Sequence, residues 1–186
     1  MTQDTSLAGV KPAEFYVVSI KKLSFMYGVT MGLYLFAWFY QHWKCYQRST
    51  GTQVLPVFRA LFNGVYVFSL FSRIQQALDV SGRTYQWFPT RRAALLGIAW
   101  ALPIISMVIE GDEPSFWIFI LLNWGLFVAC GWLLIGAQRA VNCLHNDPQG
   151  KKNRTLNVAN RVWAVCGAVV WMVFILMMML LVYVPY

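Results

Sequence analysis

Long uncharged apolar runs, separated by short polar and basic stretches, set the rhythm of this chain. Residues 162–186 carry no charge after Arg161, and residues 114–138 carry none between Glu113 and Arg139. About 20 helical residues cross the roughly 30 Å hydrocarbon layer of a bilayer, so both runs are long enough to span it. The run from Ala93 to Ile109 is shorter, with Pro103 placed to kink it. It is framed by Arg91 and Arg92 on one side and by an acidic turn containing Glu110, Asp112 and Glu113 on the other. Residues 23–43 form a fourth run, closing on Trp38, Phe39, Tyr40 and Trp43 in the manner of an interfacial aromatic belt. The pattern predicts helices over about 23–43, 93–109, 115–137 and 162–184, after a polar tail over 1–14.

Residues 54–78 are apolar overall but contain Arg59, Asn63, Tyr66 and Arg73. At 100° per residue these four fall within an arc of about 80°. Such a helix either lies in the membrane interface with its stripe toward water or spans the bilayer with the stripe turned into a bundle. The basic residues do not separate the two arrangements. A spanning segment leaves Lys44, Arg48 and Arg59 outside; an interfacial one brings them inside and moves Lys11, Lys21 and Lys22 out. The spanning form is preferred because Arg59 and Arg73 sit near the segment ends and can snorkel, escaping the full cost of about 2.5–3.5 kcal/mol for a central arginine. The expectation is an all-α polytopic membrane helical bundle of five helices, one domain over 1–186, with the C-terminus external. The alternative is four spanning helices plus one interfacial amphipathic helix.

Composition agrees with this. Hydrophobic residues make up 59% of the chain and charged ones only 12%, too few to cover a water-soluble exterior. Nine Trp suit a protein with two membrane–water interfaces. The net charge of +8 lies between the apolar runs rather than along one face, which argues for cytoplasmic loops and against nucleic acid. Arg91, Arg92, Arg139, Lys151, Lys152 and Arg154 form the predicted cytoplasmic basic surface, attractive to anionic lipid. The first 22 residues contain no apolar stretch before a small-residue cleavage site, so no removable signal is expected.

Several stretches together resemble a family of small proteobacterial inner-membrane proteins of unknown function. They are Phe15-Tyr16-Val17-Val18-Ser19, Thr30-Met31-Gly32-Leu33-Tyr34, Trp38-Phe39-Tyr40, Trp43-Lys44, Arg59-Ala60-Leu61-Phe62 and Gln138-Arg139-Ala140-Val141-Asn142. The resemblance covers most of residues 15–142. It implies the bacterial cytoplasmic membrane and carries no activity with it.

Candidate chemistry is sparse. Cys45, Cys130, Cys143 and Cys166 have no metal-ligand spacing, and no carboxylate or thiol cluster surrounds His42 or His145. His42 reads as an interfacial residue beside Trp43, and His145 as part of a polar turn. No cofactor, metal or catalytic residue is expected. Gly28 and Gly32 form a GxxxG pair suited to close helix packing. Asn123, inside an apolar run, is expected to bond another helix or line a polar cavity. The functional expectation is a non-catalytic interaction, accessory or immunity-type membrane protein, with the lipid bilayer and a membrane-protein partner or further copies of itself as its contacts. The alternative is a small oligomeric transporter or channel using the stripe on residues 54–78.

Overall fold

A computed structural model describes residues 12–108 and 116–183. The acidic turn at Glu110, Asp112 and Glu113 and the last three residues lie outside them. Among the described residues the chain is all-helical, with seven α-helices and no strand: α1 Ile20–Val29, α2 Tyr34–Thr50, α3 Pro56–Leu61, α4 Asn63–Val80, α5 Pro89–Val108, α6 Phe116–Leu144 and α7 Val158–Tyr183. α6 and α7 are the two long and apolar enough to cross a membrane.

The predicted single helix over 23–43 is two helices. α1 ends at Val29 and is capped by Thr30, after which Met31 and Gly32 both take left-handed backbone, with φ of 48° and 86°. Gly32 N–H donates to the Tyr27 carbonyl and Met31 N–H to that of Gly28, so the last carbonyls of α1 are closed by a Schellman motif. The Thr30 hydroxyl then joins the two helices, donating to the Met26 carbonyl at 2.7 Å and accepting from Tyr34 N–H at 2.9 Å. A glycine at the second left-handed position makes the reversal inexpensive.

Contacts with α6 show where this reversal leads. Lys22 lies beside Asn153 and Thr155, just past the end of α6. Tyr27 donates to the Phe127 carbonyl, about halfway along α6, and stacks on the Phe127 ring. Trp38 then bonds Gln138, and Tyr46 stacks on Phe15, which is itself held by His145. The chain thus runs up α6 from its C-terminal end and back down again. From Gln138 to Phe127 is about 16 Å at 1.5 Å per residue.

The predicted helix over 54–78 is likewise broken, at Phe62, where ψ of 39° leaves the helical region. α3 runs back along α2, with Val54 bonded by Gln47 and Arg59 stacked on Trp43. α4 then descends toward the C-terminal end of α6, where Arg83, just beyond it, donates to the Cys143 and Leu144 carbonyls. Val67, Leu70, Phe71, Ile74, Ala77 and Leu78 form its buried face, at helical spacing. α5 packs antiparallel to α4, Gly64 against Trp100 and Gly97 against Phe68. The predicted run 93–109 begins earlier, at Pro89, and 115–137 continues to Leu144.

The core sits at the C-terminal end of α6, where Trp38, Phe39, Trp43, Phe71 and Leu78 are fully buried. α7 is the opposite case: over residues 158–180 no large apolar side chain is buried, although Trp171 donates to the Gly28 carbonyl at 3.1 Å and stacks on Trp124.

Candidate functional site

The most elaborate polar arrangement is a clasp around the extended segment 12–19. This segment has no strand to pair with, so its backbone groups need side-chain partners. His145 Nε2 accepts from Phe15 N–H at 3.0 Å. Gln138 donates to the Tyr16 carbonyl, Asn153 to that of Val17 and Asn142 to that of Val18, each at 3.0 Å. Gln138 also donates to Asn142 Oδ1 at 2.8 Å and accepts from Trp38 Nε1 at 2.7 Å, while being fully buried. Gln138 and Asn142 are one helical turn apart on α6, so one face presents both amides. Beneath them the Lys22 ammonium is buried against Asn153 Oδ1 at 2.6 Å and the Thr155 carbonyl at 2.8 Å.

Two titrating groups border the clasp. Burial pushes the His145 imidazole below its ordinary value; Lys152 and Arg83 act the same way, and Glu14 opposes them. The neutral ring is the form that can accept from Phe15. Asp147 receives Lys152 N–H at 3.0 Å and Lys151 N–H at 2.9 Å, which holds its carboxyl below the usual carboxylate range.

Sequence-predicted site residues fall into separate places. The stripe on 54–78 turns toward the aromatic side chains of α2. Arg59 lies 4.2 Å over the Trp43 ring and 5.1 Å from that of Tyr66, and Arg73 lies 4.7 Å over Tyr46 while donating to its hydroxyl. These are cation–π contacts inside the protein. Asn63 does not join them; its amide donates to the Ala60 carbonyl at 3.0 Å, beside the break at Phe62. Asn123 donates to Phe119 on its own helix rather than to another helix. Asn63 and Asn123 do meet at a cavity of about 380 Å³, between the α1–α2 turn and helices α5 and α6.

The GxxxG expectation is corrected. Gly32 lies in the turn, not on a helix face, and a side chain at Gly28 would meet nothing within 4 Å. Close approach occurs at Gly167, set directly on the Val29 and Thr30 backbone, and at Gly131, where a Cβ would come within 2.9 Å of the Tyr27 ring. His42 is corrected as well: it is fully buried between Phe15, Tyr16 and Trp38, not interfacial.

The predicted basic surface also divides. Arg92 is committed to packing, donating to the carbonyls of Trp87 at 2.6 Å and Leu133 at 3.1 Å with its guanidinium over Trp132. Arg91 lies over Phe88, and Lys152 is exposed. Arg139, Lys151 and Arg154 converge with Lys21 on a cavity of about 570 Å³. Lys21, Gln138, Asn142 and Asn153 were not among the predicted site residues. Their signal was faint: amides one turn apart at the point where an apolar helix becomes polar.

No family model, curated protein or solved structure matches this chain.

Proposed function

We propose that this chain is a multi-pass integral membrane protein of the bacterial cytoplasmic membrane, acting as a non-catalytic interaction or accessory component. In this reading α5, α6 and α7 cross the bilayer. The α1–α2 and α3–α4 units enter from the cytoplasmic side and return to it. Folding of α2 back along α6 supports that path: Tyr27 bonds Phe127 on the way up and Trp38 bonds Gln138 on the way back, with the Met31 turn between them beside Asn123. Charge supports it too: from Lys21 onward every Lys and Arg then lies on one side, a stronger asymmetry than either four or five crossings allows. The C-terminus is external, and the resemblance to small inner-membrane proteins belongs to the same proposal.

The observation that carries the functional half is α7. The chain leaves most of its apolar side chains exposed, including Val165, Val169, Met172 and Met179, whereas the polar groups of the clasp are spent on one another. A helix so exposed must meet lipid or another membrane helix. A second reading, transport, draws on the cavity shared by Asn63 and Asn123.

Three experiments test these statements. With Cys45 replaced, a cysteine at Thr50 should resist a membrane-impermeant thiol reagent added to intact cells; labelling there would restore five crossings. A photo-crosslinker at Val165 or Met172 should trap a partner protein or a second copy in cells. Trapping lipid alone, together with a monomer after purification, would end the interaction reading. Solute or ion flux in liposomes that disappears with Asn63→Ala and Asn123→Ala would favour transport.

A further inference from the structure

We infer that the crevice between α1 and α6 binds one anionic glycerophospholipid, its phosphate in the basic cavity and an acyl chain in the groove that continues from it. The inference rests on the membrane reading above and adds a specific ligand to it.

Lys21, Arg139, Lys151 and Arg154 line the basic cavity, and no carboxylate stands among its described lining residues. The nearby Asp147 carboxylate is turned to the Lys151 and Lys152 amides. Ser19 and Ile20 bring the positive end of the ten-residue α1 to the same cavity. Four cations and a helix N-terminus with no internal counter-charge suit a phosphate.

A phosphate alone would not need what adjoins it. A second cavity, about 320 Å³ and lined mainly by apolar side chains, lies between the same two helices. Its residues continue the stripes of the first. On α1, Ile20 in the basic cavity leads at four-residue steps to Ser24 and Gly28 in the groove. On α6, Arg139 leads by the same steps to Ile135 and Gly131. The groove therefore runs away from the charges in the direction of the apolar part of α6. Glycine shapes it: Gly131 lets the Tyr27 ring lie against α6, and the space beside Gly28 is empty. Exposed Trp132 forms part of its wall, near the end of the apolar run, at a depth suited to an interfacial aromatic residue. Scattered interfacial cations attract anionic lipid without selecting one molecule; a headgroup cavity joined to a chain groove can select.

The test uses the full chain in neutral detergent, with lipid retention counted by native mass spectrometry. Phosphatidylglycerol should be retained in preference to phosphatidylcholine. Lys21→Gln with Arg154→Gln should weaken phosphatidylglycerol retention roughly thirtyfold and leave phosphatidylcholine unchanged. Lys44→Gln with Arg48→Gln removes the same charge elsewhere and should have little effect; an equal loss there means diffuse attraction and overturns the site. Gly28→Leu fills the groove and should abolish the preference with all four cations in place. Glycerol 3-phosphate and inorganic phosphate form the soluble arm. If either protects the protein from heat as well as the lipid does, and Gly28→Leu changes nothing, the ligand is a soluble phosphate compound and the lipid assignment fails. Failure of the membrane reading looks different: the protein would leave cells without detergent.

Discussion

Two parts of this molecule solve the same problem in opposite ways. Around the C-terminal end of α6, α2 and α4 bury Trp38, Phe39, Trp43, Phe71 and Ile74 completely, and the polar atoms of segment 12–19 are paired with amides from α6 and the loop after it. α7 carries a similar load of apolar side chains and fully buries no large one, with Trp171 and Phe174 only half-covered by Trp124. The first region resembles a folded domain that manages its own solvent; the second hands its surface to whatever surrounds it. Apolar content alone therefore says little about where stability resides. It should reside in the clasp and its aromatic floor, and substitutions should sort accordingly.

The sharpest way to break that comparison is Gln138→Leu. It strands the Trp38 indole N–H, the Tyr16 carbonyl and the Asn142 amide oxygen in a buried site, and should cost about 3–5 kcal/mol, measured as loss of thermal stability in detergent. Next is Gly167→Ala, which drives a methyl into the Val29 and Thr30 backbone and should cost about 1–3 kcal/mol, though it lies on the otherwise exposed helix. A smaller effect comes from pH. Because folding lowers the His145 pKa, the neutral ring is favoured in the folded state; its stabilisation is whole above the unfolded value of about 6.5 and declines as pH falls below it. Proteolysis within residues 12–19 should therefore accelerate as pH falls below about 6.5, and His145→Gln should flatten that dependence. Last, Met172→Ala on the bare face of α7 should change stability in detergent by no more than about 0.5 kcal/mol. A large loss there would mean that α7 is packed after all.

Much of the architecture was legible from the periodicity, and the reason the remainder was not is specific. The runs that became α5, α6 and α7 were visible as uncharged lengths. The run 23–43 had the same appearance, yet apolar length cannot distinguish one crossing helix from two shorter helices folded on each other. The deciding feature is the Met31–Gly32 turn, and Met31 is a residue with no preference for left-handed backbone. Thr30 would have been a clue only to someone who knew that its hydroxyl links both helices. The stripe of Arg59, Tyr66 and Arg73 was legible as a stripe, but its partners Trp43 and Tyr46 lie on another helix. Gln138, Asn142 and Asn153 act on carbonyls more than 120 residues away, beyond the reach of local pattern.

That distance has a consequence for biogenesis. The ribosome makes segment 12–19 well before the amides that hold it, which are 122 to 136 residues downstream. At about 5–20 residues per second the unpaired carbonyls of Tyr16, Val17 and Val18 wait for roughly 6 to 27 s before their partners exist. Nascent chains arrested short of Gln138 should accordingly leave segment 12–19 open to protease, and closure should appear only once Gln138 to Asn153 have cleared the exit tunnel.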